Sequence, residues 1–284
     1  MELLAEQIDE AVSRALAEDL SSGDVTTEAL IDENWQGKAY FLVKAQGVLA
    51  GIEIARRVFL KVDPDISMDV LIRDGTSIKR GDIAATVSGK FSSILMAERT
   101  AVNFLQHLSG VASETAHLVE AVKGFPVQIL DTRKTLPGLR VLEKYAVRAG
   151  GGHNHRMNLG DGILIKDNHL EMLQSRGLSV REIVERARKR APFRFKIEIE
   201  VKTPDEAREA AEAGAGIILL DNMNVEAMRE SVGLIKGRAL IEASGGITLA
   251  NVRAVAETGV NFISSGSVTH SVKALDISLE YEKS

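Results

Sequence analysis

The segment Asp131–Arg140, DTRKTLPGLR, follows an apolar run and sets Arg133, Lys134 and Arg140 within eight positions of one another. A second block, GGGHNHRMNLGDGILIKDNH, adds His153, His155, Arg156 and Lys166. Cations gathered on loops after strands suit a small ligand with several anionic groups, since a guanidinium meets a carboxylate or phosphate in forked geometry. The glycines let backbone approach that ligand closely. His153 and His155 lack a third ligand at a zinc-like spacing, so His155 and Arg156 read as two donors for an anion. Lys166 ends the apolar strand GILIK, where an ammonium is costly unless the strand end is open and an anion meets it. Glu200 in FKIEIEVK and Asp221 in GIILLDN are its natural counter-charges, or hard oxygen ligands for Mg²⁺. The small-residue stretches ASGG (Ala243–Gly246) and SSGS (Ser264–Ser267) end two later strands, where a phosphate can be received by backbone donors.

These residues need a frame, and from Val127 onward the chain repeats one. Apolar strands (VQILDT, GILIKDN, FKIEIEVK, GIILLDN, ALIEASGG, NFISSGS) alternate with amphipathic helices. Ser179 with Glu182 and Thr203 with Glu206 are capping boxes. Asn224 and Thr248 read as further caps, and Gly214 and Gly259 as stops. The alternation predicts a parallel sheet covered by helices. No GxGxxG follows a first strand, which weakens a dinucleotide fold. Strand ends that are charged or small and polar (Asp131, Lys166, Glu200, Asp221, Ser244, Ser265) suit a (β/α) barrel, whose ends converge on one mouth. The first part has another grammar. A helix with a Leu4, Ile8, Val12, Leu16 stripe precedes alternating segments that read as antiparallel sheet. DGTSIKRGDI there reads as a plain turn rather than a lipoyl hairpin. SSILMAERTAVNFLQHLSGVASETAHLVEAV reads as one or two linking helices. Arg140, Lys144 and Arg148 fall on one helical face, solvated or functional. The division expected is 1–112 for the N-terminal α/β domain with its linking helix, 113–270 for the barrel, and 271–284 for a C-terminal segment packing back on the N-terminal domain.

A formal net charge of −5 speaks against general nucleic-acid binding, and the absence of cysteine excludes a thiol nucleophile, thiolate metal sites and disulfides. The acid-rich N-terminus has no signal-peptide core, and no apolar run approaches the ~18 residues of a membrane span. A cytoplasmic protein with no membrane contact is expected.

The blocks DTRKTLPGLR, EKYAVRAGGGHNHRMNLGDGILIKDNH, IEIEV, LLDNM, EASGGI and SSGSVTHS, with AERTAVNFLQHLSGVAS and the early EDLSSGDVTT, together resemble the quinolinate phosphoribosyltransferase family over nearly the whole chain. The resemblance implies an N-terminal α/β domain (helix plus antiparallel sheet) on an incomplete (β/α) barrel. It implies transfer of phosphoribose from phosphoribosyl pyrophosphate to quinolinate with decarboxylation, in NAD biosynthesis. It also implies Mg²⁺, no organic prosthetic group, and a homodimer with shared sites. By motif, Arg99 of AERTAVN would reach the neighbouring subunit's site. Arg133, His155 and Arg156 would hold the quinolinate carboxylates with it. Lys134 and Lys166 would face the substrates, and Glu200 and Asp221 the ribose hydroxyls and Mg²⁺. Ser244, Gly245 and Gly266 would receive the 5-phosphate. Thr132, Gly246 and Ser265 count with them as substrate-binding positions, and Lys134, Lys166, Glu200 and Asp221 as catalytic ones. Alternatives are a molybdenum-transport-associated homologue with another acceptor, a sugar-phosphate aldolase or isomerase using Lys166 as a Schiff-base amine, and a non-catalytic anion-binding module.

Overall fold

The computed structural model describes residues 5–282; Leu4 of the expected first stripe lies outside them. The elements run α1 (Ala5–Asp19), α2 (Val25–Leu30), β1 (Gln36–Val43), β2 (Gly47–Val48), α3 (Ile52–Val62), β3 (Ser67–Val70), β4 (Ser77–Ile78), β5 (Ile83–Lys90) and α4 (Phe91–Ala121). Then come β6 (Gln128–Leu130), α5 (Arg140–Ala149), β7 (Ile163–Ile165), α6 (Asp167–Gln174), α7 (Val180–Arg190), β8 (Ile197–Val201), α8 (Pro204–Glu212) and β9 (Ile217–Asp221). The chain closes with α9 (Val225–Ile235), β10 (Leu240–Ser244), α10 (Val252–Ala256), β11 (Phe262–Ser264), α11 (Ser267–His270) and β12 (Ile277–Tyr281). Among the described residues no helix is long and apolar enough to cross a membrane.

These elements form two compact units. One takes the described residues up to 116, 135–151 and those from 268 onward; the other takes 117–134 and 152–267. Residues 135–151, assigned to the barrel from sequence, therefore fall in the first unit. The cause is tertiary. The Glu143 carboxylate in α5 sits 2.8 Å from His107 Nε2 on α4. A Cβ at Gly150 would lie 2.3 Å from the Ala112 carbonyl oxygen, so only glycine allows that approach.

The first unit holds an antiparallel sheet in the order β12-β1-β5-β3. Ala39, Phe41 and Val43 alternate inward along β1, as period-2 patterning requires. Phe41 meets Phe59 of α3 edge to face, with ring centroids 6.1 Å apart. The last strand, β12, pairs with β1 through Ala39↔Tyr281 to Val43↔Ile277.

In the second unit six parallel strands pair in the order β6-β11-β10-β9-β8-β7. Ile197, Ile199, Ile218, Leu220, Ile241, Ala243 and Ile263 are buried, which fits helices covering the outer face. The Ser179 and Thr203 capping boxes form, and Asn224 Oδ1 accepts from Ala227 N–H. Thr248 does not cap. Helix α10 starts only at Val252, because Asn251 ties the preceding turn together: its Oδ1 accepts from Thr248 N–H and its amide donates to Gly246 O. A parallel bridge between Leu130 and His153 extends the sheet beyond β6. His155, two residues on, touches Glu242 of β10 at 3.5 Å and Glu198 of β8 at 3.3 Å. In a flat sheet those strands would stand about 14 and 24 Å from the residue-153 segment, at about 4.8 Å per step. The sheet is therefore rolled into a barrel. Among the described residues no ladder joins β7 to the His153 segment, so the barrel is incomplete.

Candidate active site

Strand alternation selects which side chains enter the barrel. Along β8, Glu198 and Glu200 share one parity, and Leu219 and Asp221 do so on β9, Glu242 and Ser244 on β10, and Leu164 and Lys166 at β7. Register brings them level: Glu200 lies beside Leu219, Leu219 beside Glu242, and Asp221 beside Ser244, which pairs with Ser264. At the C-terminal ends of these strands opens a cavity of about 440 Å³. Arg133, Lys134, Arg156 and Lys166 bring cations to its wall. Glu200, Asp221 and Glu242 bring acids; Thr132, Ser244 and Ser264 hydroxyls; Gly245 and Gly246 bare backbone.

Most of the residues expected from sequence thus meet in one place. Lys166 is exposed there, which resolves the cost of an ammonium on an apolar strand. Three expected residues stand elsewhere. Arg99 is exposed on α4 in the first unit, lining a separate cavity of about 280 Å³ with Asn103 and His107. Ser265 is buried, its Oγ 2.8 Å from Ser267 Oγ, and Gly266 follows it; neither lines the barrel cavity, where Ser264 stands instead. The supposed basic face of α5 is not solvated: Lys144 is 1% exposed, and Arg140 Nε donates to Thr135 Oγ1 at 2.9 Å. Asp131 is also fully buried rather than at the mouth. Its carboxylate accepts from Asn154 Nδ2 at 2.6 Å and from His155 N–H at 2.8 Å, fixing the loop that presents His155 and Arg156.

Sequence reasoning passed over Glu198 and Glu242 by attending to strand ends. The available signal was their parity: acids one turn of the pleat below Glu200 and Ser244 inside buried strands. Together with His155 they have the composition of a metal centre, their ligand atoms lying within 4.8 Å of one another. The ring geometry argues against one. Arg156 N–H donates to His155 Nδ1 at 2.7 Å, so the ring proton sits on Nε2, between the two carboxylates, and Nε2 has no lone pair for a metal. Burial disfavours the imidazolium, but the hydrogen bonds to Glu198 and Glu242 outweigh it and push His155 up to about 10. Glu198 is raised too, chiefly by burial. Glu242 Oε1 is buried without a partner.

Arg156 donates from Nη1 to Gly162 O at 3.0 Å, while its Nε is buried with no acceptor in the protein. Burial lowers its pKa from 12.5, yet a guanidinium stays charged. Asn222, also unforeseen, adopts a left-handed φ of 55°, and its amide donates to Asp221 Oδ1 at 3.0 Å. The site as a whole can hold several anionic groups beside a pair of carboxylates.

Comparison with known proteins finds relatives along nearly the whole chain. Residues 24–109 match the N-terminal domain, and residues 111–280 the C-terminal domain, of quinolinate phosphoribosyl transferase. A probable nicotinate-nucleotide pyrophosphorylase [carboxylating] of Bacillus subtilis is 40% identical over 96% of this chain and 93% of its own. A chloroplastic nicotinate-nucleotide pyrophosphorylase [carboxylating] of Arabidopsis thaliana is 40% identical over 95% of this chain and 82% of its own. The solved structure of NadC from Streptococcus pyogenes superposes with a TM-score of 0.93 at 43% identity, covering 100% of both chains.

Proposed function

The chain belongs to the quinolinate phosphoribosyltransferase family, and from that premise we propose how its cavity does the work. The enzyme transfers phosphoribose to quinolinate with decarboxylation, giving nicotinate mononucleotide, pyrophosphate and CO₂ in NAD biosynthesis. The observation that carries the residue-level reading is the convergence of four cations and two rim acids, Glu200 and Asp221, on one strand-end cavity.

Arg133 and Arg156 receive the two acceptor carboxylates, with Lys166 and with Arg99 from a second copy of the chain in a homodimer. His155 buttresses Arg156 from below, both ring nitrogens being engaged within the protein, and it would reach a carboxylate only by giving one of them up. Ser244, Gly245 and Gly246, with Ser265 and Gly266 behind them, receive the 5-phosphate. Thr132 and Lys134 face the substrates from the loop after β6.

The pyridine nitrogen is itself the nucleophile, so no protein nucleophile or strong base is needed, and positioning supplies much of the acceleration. Loss of pyrophosphate builds positive charge on the ribose, which Glu200 and Asp221 stabilise, while Lys134 and Lys166 stabilise the leaving group. The ribosylated ring is cationic, and that charge stabilises the carbanion left when CO₂ departs, which then takes a proton from water to give the product. Glu200 and Asp221 also suit Mg²⁺. Each carboxylate accepts one hydrogen bond, from Asp167 N–H and from Asn222 Nδ2, and offers a further hard oxygen. Held there with the donor, Mg²⁺ would supply positive charge to balance the departing pyrophosphate.

The test offers quinolinate and nicotinate separately, with phosphoribosyl pyrophosphate and Mg²⁺, and measures pyrophosphate and CO₂. Pyrophosphate and CO₂ in equal amounts, with quinolinate only, are expected. Release with nicotinate alone would show that the arginine pair does not demand two carboxylates and would sink the assignment.

A further inference from the structure

Lys202 lies one residue past β8, in step with Glu198 and Glu200 on the strand's inward parity. Its Nζ stands 2.9 Å from Asp167 Oδ2, with the two side chains 58% and 45% exposed. Asp167, the neighbour of Lys166, donates its N–H to Glu200 Oε2 at 3.2 Å. The ammonium is held charged first by the hydrogen bond to Asp167, and then by the fields of Asp167, Asp221 and Glu200. A cation therefore stands just past the C-terminal end of β8, one salt bridge from the Asp167 that donates to Glu200 and within the fields of Glu200 and Asp221, outside every motif that points to the family.

Its present partner is weak. An exposed lysine–aspartate pair contributes little net stability and exchanges readily. A diphosphate brings several negative charges where Asp167 brings one, and a lysine on a flexible stem can swing its three donors to the stronger anion. Resting on the function proposed above, we infer that Lys202 is a further binding residue for the phosphoribosyl donor, exchanging Asp167 for the diphosphate as the donor enters.

Lys202→Met keeps the stem and removes the charge; Lys202→Arg restores it. Calorimetry on the full-length protein with Mg²⁺ should show inorganic pyrophosphate binding weakened about two- to fivefold in Lys202→Met, the scale of one exposed ion pair. KM for phosphoribosyl pyrophosphate should rise in parallel, KM for quinolinate should not, and Lys202→Arg should recover both. Asp167→Asn discriminates, because it keeps the N–H to Glu200 while removing the competing charge: pyrophosphate should bind as well as before or more tightly. If Lys202 merely straps the Lys166–Asp167 turn, both variants will weaken pyrophosphate alike, and the inference falls. It falls equally if Lys202→Met binds pyrophosphate normally. Failure of the underlying reading looks different: the unaltered protein would then bind no pyrophosphate and release none with quinolinate.

Discussion

Two buried carboxylates in this protein are pushed in opposite directions, and the difference is what surrounds each. Glu198, 4% exposed, is raised by burial and by the neighbouring Glu242 against the pull of His155 and Arg156. Asp63, 9% exposed, is lowered from 3.8, first by the Ser93 hydroxyl at 2.7 Å and then by Asp65 N–H at 3.0 Å. Burial alone does not set ionisation; the count of donors aimed at the oxygens does. Linkage gives the two groups opposite signs. Glu198 favours folding below its unfolded value of 4.5 and penalises it above. The Asp63 contribution is present above 3.8 and is lost as pH falls through its depressed folded value. Asp63→Asn should therefore cost about 1 kcal/mol at neutral pH, and that gap should close as pH falls through the depressed folded value. Thermal unfolding of both proteins across pH 2.5 to 7 tests this; a gap unchanged at the acid end would contradict it. At this scale the sequence was informative about the rim. Arg133, Lys134, Arg156, Lys166, Glu200 and Asp221 are charged residues just where apolar strands stop, and all line one cavity. It was less informative about the floor, since Glu198 and Glu242 carry meaning only once the strands are rolled and His155 arrives from across the barrel.

At the scale of elements, the loops after β9 and β10 interlock. Gly245 has φ +89°, and a Cβ there would lie 2.4 Å from Asn222 Oδ1; Gly246 has φ +63° with nothing within 4 Å. Both positions carry backbone strain when substituted, but only the first also displaces a neighbour. Gly245→Ala should raise KM for phosphoribosyl pyrophosphate by at least about tenfold, a loss of about 1.4 kcal/mol, and Gly246→Ala by clearly less. Equal effects in steady-state kinetics would show that the Asn222 contact is irrelevant. Capping boxes and strand parity were legible because they are local: Ser179 and Thr203 take their places from residues three positions away. Thr248 misled because Asn251, three residues later, binds it into a turn. The allotment of α5 to the first unit was illegible, since it depends on the close approach of Gly150 to Ala112, a contact that no local pattern announces.

At the scale of the whole molecule, the chain passes between its units repeatedly, leaving the first at 116, returning at 135, leaving at 151 and returning at 268. The final return supplies β12, whose Ile277 and Leu279 are 1% and 5% exposed against β1. A chain ended at Asp276 would lose two core side chains, each worth about 2–5 kcal/mol when truncated, and would uncover the β1 edge. Such a chain should lose the cooperative unfolding transition of the antiparallel sheet and aggregate, as scanning calorimetry and light scattering would report; an unchanged transition would mean that β12 is an ornament.

The same arrangement sets a timetable for synthesis. A ribosome delivers every strand of the barrel before it delivers β12, so the antiparallel sheet, whose other strands are made earlier, stays without this edge strand until Ile277–Tyr281 emerge. During translation the antiparallel sheet gains its last strand only after the barrel strands have been made, and a nascent chain stalled anywhere before Ile277 presents an open β1 edge to the cell's chaperones and proteases.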